Sequence, residues 1–485
     1  MTETKNQIDY SEANQSQGTH NFHVLTPDSR RQIIETKVPI QDSGEEIYKK
    51  EKITEGKERL SSNQSILGAA FLLTNMCLGT TIFTFGSRAK EIGLIWIIVF
   101  CFVVAGVDYW SIMNGCVASS KVDVDDYSEI TEKIIGKKSR VLLNIIIIVY
   151  SYGVMITFYV LIFALFGRFI QSVGYREYTT YSEFVADKWG KAYIKYPFCL
   201  GMAVFLSLMS LIKDIQKLNF TAYIGVAAVI YSLFVVMIQC NTYYNYYKEN
   251  VYIEEDKSTH LNLVDLGQGF TKDLNFFKTL ACIYGAYACH TGIFPVFAGF
   301  KYQENGVKKM KFSVFYSMCL TTALHIISIV CSYLTDPYTP EDVIIYRKSI
   351  DNGKDIAMTI SKLFITLSLV FTSPGYFFGL RLSVANSFTG GKISKLFNIL
   401  FTFISMFVCA IIAALYDKIL NYTSYIGGFI TVFVAYLYPA LLHIYSSGKP
   451  LTYWRNLLDL IIAIILCAIG IIAGIRTIID DVQNV

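Results

Sequence analysis

Asn75, Gly79, Thr80 and Thr81 stand inside a run from about Ile66 to Gly86 that is otherwise largely apolar. The run is long enough to cross a bilayer, and a helix in lipid has no use for these four residues. Glycine is a low-cost place to break a helix. Non-helical backbone survives at membrane depth only where it is buried in protein or lines a cavity. A break at Gly79 would leave the amides of Thr80 and Thr81 free to bind an anion such as a carboxylate. It would also free carbonyls near Asn75 and Leu78. Together with the Asn75 side chain, these can coordinate a small cation. The plain alternatives are a packing face of small residues, and an asparagine that hydrogen-bonds a neighbouring helix.

A second oxygen-rich point is Thr372-Ser373-Pro374. Proline removes a backbone donor and frees a carbonyl one turn earlier, and the two hydroxyls add oxygens. With Asn75 they make an oxygen-only set suited to a hard ion such as sodium; otherwise they patch an ordinary proline kink. His290, in the middle of another apolar run, is a titratable group at membrane depth. It is a candidate for a coupled proton or a substrate hydrogen bond, against the plainer role of a satisfied structural histidine. His325 is a weaker case of the same kind. Asp108 is costly in lipid unless paired. It is expected to face water or a partner such as Arg381.

The elements that must hold these residues are membrane helices. The chain has 485 residues, 53% of them hydrophobic, and a net charge of +4. That composition is too apolar for a soluble protein of this length, and the charge leaves no footprint for nucleic acid. Most of the eleven cysteines lie inside apolar runs and read as buried small hydrophobes. Cys199 and Cys240, near segment ends, are the pair that could meet. No metal-binding spacing and no catalytic cluster of polar groups is present, so no cofactor and no enzyme activity are expected.

Residues 1–60 are polar and poor in aromatics, which predicts a disordered cytosolic tail with room for a cytosolic partner. No cleavable signal precedes the first span. Eleven spans follow, at roughly 64–86, 93–117, 139–167, 193–212, 219–240, 275–299, 311–335, 356–384, 394–416, 420–444 and 454–478. Short basic loops alternate with longer acidic ones, which places the N-terminus inside. The sixth span, like the first, carries interruptions, at Gly285, Gly292 and Pro295. Two interrupted helices at matching positions in two halves point to an inverted-repeat transporter with a midplane site. The halves run about 64–240 and 275–444, and one extra helix follows, within a membrane domain at 61–480.

These pieces resemble the amino acid/auxin permease family, in particular its sodium-coupled neutral amino acid transporters. Asn75-Met-Cys-Leu-Gly79-Thr-Thr-Ile-Phe83 is similar to the family's Asn-x-x-x-Gly-[Ser/Thr]-x-Ile-Leu. Ala288-Cys-His290 with Pro295, Thr372-Ser-Pro374 with Phe378 and Arg381, and Gly427-Gly428 with Pro439 follow in the family's order. The departures are Gly379, Thr291-Gly292 and Phe85-Gly86. The resemblance implies an all-α integral membrane protein of the APC/LeuT-like type, a five-plus-five inverted repeat plus one C-terminal helix. It implies an amino acid whose carboxylate sits on the backbone at Gly79, Thr80 and Thr81, beside a pocket near Tyr287, Cys289 and His290. Asn75 and Thr372 match the family's sodium-site positions, and the reading of the residues adds Leu78 and Ser373 to the expected ion site. The expected function is secondary active amino acid transport by alternating access, driven by sodium or protons. It would take place in the plasma membrane or a vacuolar or lysosomal membrane. The alternative is an amino acid sensor that signals through residues 1–60.

Overall fold

A computed structural model describes residues 64–483 except 79, 176–180, 212–218, 251–274, 337–342, 348–349, 351–354, 389–393 and 416–422. Residues 1–60, Gly79 and much of the expected acidic loops therefore lie outside the described residues. Among the described residues, ten helices are long and apolar enough to cross a membrane. They begin with Leu94–Ser119 and end with the C-terminal helix Trp454–Gln483. The expected first span is not one of the ten, so the count of eleven is not reached by length and composition. Its apolar helix, Ile66–Cys77, stops after 12 residues. The chain then makes a 3-10 turn, Thr80–Phe83, and a second short helix, Phe85–Ile92. Ser65 starts the segment by accepting from the Gly68 amide at 3.0 Å, the usual service of an N-cap hydroxyl.

The sixth span is also broken, but not where glycine suggested. Its first half, Asn275–Tyr287, runs straight through Gly285, and its second half, His290–Lys301, runs through Gly292 and Pro295. The gap falls at Ala288 and Cys289. The two glycines serve close packing instead. Gly285 lies against Gly427 of the tenth span, 3.6 Å from where a methyl carbon would sit to the Gly427 Cα, and Gly292 faces the Met76 side chain.

The seventh helix, Gly306–Thr335, splints the whole first segment. Ser313 donates to the Ile66 carbonyl at 3.0 Å, Thr74 bonds Ser317 at 3.1 Å, and Ser328 donates to the Ile82 carbonyl at 2.6 Å. A buried row of Ser and Thr thus supports a helix that cannot support itself. Between the second and third helices a short amphipathic helix, Tyr127–Ile134, is capped by Asp126, a feature the hydropathy pattern concealed. The tenth span is wound wide, with π-turns at Ile426–Thr431 and Phe433–Leu437. Side chains take up carbonyls along it. Tyr127 donates to Val434 at 2.8 Å, Ser111 donates to Ala435, and Cys467 donates to Val432 at 3.7 Å.

Candidate functional site

Both breaks come together. In the first segment the helix ends at Cys77, and the Leu78 amide closes its last turn on the Thr74 carbonyl at 2.8 Å. The Met76 carbonyl accepts from the Tyr376 hydroxyl of the eighth helix, Ile356–Phe388, at 3.4 Å. At the second break the Cys289 amide folds back to the Tyr287 carbonyl at 2.9 Å. The Ala288 carbonyl accepts from Tyr150 of the third helix, Lys137–Gly174, at 3.5 Å. The Cys77 thiol also donates to the Tyr287 carbonyl, at 3.4 Å. The arrangement has a repeat built into it. A tyrosine of the third helix serves the sixth-span break, and a tyrosine of the eighth serves the first-span break. Each tyrosine lies five spans from its counterpart.

Beside the first break is a cavity of about 30 Å³, lined by Asn75, Leu78, Ser368, Thr372 and Tyr376, with Gly225 and several apolar residues. That is room for an ion or one or two waters, and too little for an amino acid. Three oxygens converge on the bare face of Gly225. A carbon attached there would stand 3.0 Å from Ser368 Oγ, 3.5 Å from Asn75 Oδ1 and 3.8 Å from Thr372 Oγ1. Thr372 donates its own proton to the Ser368 carbonyl at 2.7 Å, which leaves its oxygen lone pairs for a cation. This oxygen-only donor set fits a hard cation.

The expected residues divide accordingly. Asn75, Leu78 and Thr372 line one cavity. Ser373 is fully buried, donates to the Leu369 carbonyl of its own helix at 2.7 Å and does not itself line that cavity. Gly79 lies outside the described residues, and Thr80 and Thr81 form the turn that follows it. Cys289 sits in the second gap, and His290 opens the half-helix after it. The Tyr287 side chain points to the seventh helix. Its hydroxyl donates to Thr322 at 3.0 Å, and its ring stacks on His325 at 5.1 Å. Sequence reading missed Gly225 and Ser368. Ser368 stands four residues before Thr372, a spacing that places both on one helix face.

Two pairings that the sequence left open, Asp108 with Arg381 and Cys199 with Cys240, are absent among the described residues. Arg381 donates to the Ser210 carbonyl and to Asn398 Oδ1, both at 3.3 Å, while neither oxygen of Asp108 has a hydrogen-bond partner. Cys240 donates to the Cys331 carbonyl at 3.4 Å, and Cys199 and Cys240 are both free thiols. The physical reason is the same in both cases. Hydropathy places residues along helices but does not say which helices are neighbours.

Residues 62–479 match the family described as transmembrane amino acid transporter protein. The chain belongs to this family. Over 399 residues it is 21% identical to the sodium-coupled neutral amino acid transporter 7 of Xenopus laevis, covering 79% of this chain and 81% of that protein. It is 23% identical to the Homo sapiens protein of the same name over 322 residues, covering 64% of this chain and 62% of that one. Among solved structures it resembles the inward facing conformation of Mhp1, with a TM-score of 0.51 at 12% identity, over 85% of this chain and 89% of that one. That likeness shows the fold, the five-plus-five inverted repeat of a multi-pass integral membrane protein.

Proposed function

We propose that the protein is a secondary active transporter that moves amino acids across its membrane with sodium as the coupling ion. One observation carries the reading. The gaps in the first and sixth spans face each other, joined by Cys77 and Tyr287, and an oxygen-lined cavity of ionic size lies beside the first gap. Freed peptide groups can grip both ends of a zwitterion. The amides after the first break suit its carboxylate, and the carbonyls at the second suit its ammonium group. Thr80, Thr81, Cys289 and His290 are the residues so placed, with Gly79 at the turn. Asn75, Ser368 and Thr372 would hold the sodium. The names of the relatives support this assignment of ion and of substrate class.

The cavity of about 30 Å³ suits the ion and not the amino acid, which the peptide groups at the two gaps would hold instead. Opening requires one bundle to move against the other, which is alternating access. The short basic loops support an N-terminus on the cytosolic side. The test is uptake of labelled neutral amino acids into liposomes that contain the full chain, under imposed sodium gradients. Saturable uptake that follows the sodium gradient is expected. Flux that neither saturates nor responds to sodium would refute the reading.

A further inference from the structure

Asp108 lies near the middle of the second helix and is 0% exposed. Neither of its oxygens is hydrogen-bonded. The ionisable groups facing it are Tyr284 and Tyr287 of the sixth span, Tyr436 of the π-wound tenth span, and Cys77 of the first. Cys467 of the last helix stands behind Tyr284 and Tyr436. None of these brings a positive charge. The Tyr436 hydroxyl faces the carboxyl outside hydrogen-bond geometry, and it too has no other partner. The Tyr436 ring centroid lies 6.2 Å from that of His290, edge to face, and 5.3 Å from that of Tyr284. His290 is 2% exposed, and neither of its ring nitrogens is bonded. An acid, a phenol and an imidazole, each of which normally takes a partner when buried, therefore stand in one unsatisfied cluster.

We propose that Asp108, Tyr436 and His290 form a proton-binding site inside the helix bundle, separate from the cation cavity. None of the three lines that cavity. An anionic carboxylate in this place has no cation beside it, and the one donor facing it, the Tyr436 hydroxyl, stands outside hydrogen-bond geometry, so the charge is costly there. Taking up a proton removes the charge and makes the carboxyl a donor as well as an acceptor. The step is a plain acid–base transfer. Hydronium gives up H⁺ and leaves water, an O–H bond forms on Asp108, and no oxidation state changes.

The surroundings link that proton to conformation. Ser111, one turn beyond Asp108, and Tyr127 hold carbonyls of the wide-wound tenth span. π-turns inside helices are frequent at functional positions. Packing the second helix against the tenth favours the neutral acid, and admitting water between them favours the anion. Protonation and opening therefore bias one another. The proposal concerns a proton site, so it stands apart from the identity of the transported solute.

The experiment is infrared difference spectroscopy of the full chain in lipid nanodiscs at neutral pH, which reads the C=O stretch of protonated carboxyl groups directly. The wild type is expected to show a protonated-carboxyl band that disappears in Asp108→Asn. The band should persist in Asp459→Asn, the control, whose carboxyl lies outside the cluster and is bonded to His443 at 2.5 Å and to Asn114 at 3.3 Å. Tyr436→Phe is expected to shift the band. A spectrum that is the same in Asp108→Asn and wild type overturns the proposal. A band that stays unmoved in Tyr436→Phe removes Tyr436 from the site and overturns the three-residue cluster. The measurement does not depend on transport, so failure of amino acid uptake leaves it interpretable.

Discussion

The thiol of Cys77 and the carbonyl of Tyr287 meet at 3.4 Å, and they meet because each is the last helical residue before a gap. In an unbroken sixth helix the Tyr287 carbonyl would belong to the amide four residues on. Here that carbonyl is shared between the Cys289 amide and a residue from the opposite half of the molecule. The join places the two breaks side by side.

The tyrosines that serve the breaks can be removed without changing shape. Tyr376→Phe takes the donor from the Met76 carbonyl, and Tyr150→Phe takes it from Ala288. A buried carbonyl left without a partner costs about 1–3 kcal/mol. Each variant is expected to lower the thermal unfolding midpoint in detergent. The double variant should depart from the sum, because the two breaks meet at Cys77 and Tyr287 and both hydroxyls stand near them. A midpoint unchanged in both would show that water replaces the hydroxyls at no cost.

Glycine packing gives a contrast between two neighbours. A methyl group at Gly427 would overlap the Ala281 carbonyl, whereas at Gly285 the nearest atom would be 3.6 Å away. Gly427→Ala is expected to force the tenth span off the sixth and to yield little monodisperse protein on size-exclusion chromatography. Gly285→Ala should purify like the wild type. Equal yields would mean that the tenth span has slack to shift.

Much of this architecture was legible in the sequence, because polar residues inside an apolar run have few uses. Asn75 and Thr372 stood out in that way and now line one cavity, and the first helix ends at Cys77, just before the break expected at Gly79. The second break was misplaced because Gly285 and Gly292 were read for flexibility, while the folded chain uses them for closeness to Gly427 and Met76. Ser373 was expected at the ion site, yet its hydroxyl turns back to Leu369. A hydroxyl beside a proline can serve either its own helix or a cavity, and only the neighbouring helices decide. Gly225 stayed hidden because its importance lies in three oxygens brought to it by two other segments.

Acid should weaken one end of the bundle. Burial alone would raise the Asp355 carboxyl. The Met358 amide, Gln239, Tyr243 and the Arg347 guanidinium outweigh that and hold it below its ordinary value. The amide, Gln239 and Tyr243 bond it at 3.0, 2.9 and 2.9 Å, and Arg347 lies 3.7 Å away. A depressed carboxyl contributes stability in full above the unfolded value of about 3.9, and loses it as pH falls through the lower folded value. Unfolding midpoints are therefore expected to be flat, as far as this group is concerned, from neutral pH to about 4, and to fall below that. Asp355→Asn should lower the midpoint at neutral pH and remove this part of the acid dependence. A wild-type and variant pair with parallel curves would exclude the cluster as its source.

The ion assignment makes the sharpest demand on Gly225, which no motif singles out. Gly225→Ala would place a carbon 3.0 Å from Ser368 Oγ and 3.5 Å from Asn75 Oδ1, inside a cavity of about 30 Å³. The methyl group displaces a cation but touches neither peptide gap. Asn75→Ala takes away one oxygen and leaves the space. Losing a single ligand worth about 1.4 kcal/mol weakens binding about tenfold, so half-maximal sodium for uptake should rise by about that factor in Asn75→Ala. The rise should be larger in Gly225→Ala. In both variants, uptake at saturating sodium should keep its dependence on amino acid concentration, because the peptide groups at Thr80 and Cys289 are untouched. If sodium titrations of both variants overlay the wild type, the ion sits elsewhere, and the cavity beside the first break is a packing defect filled by water.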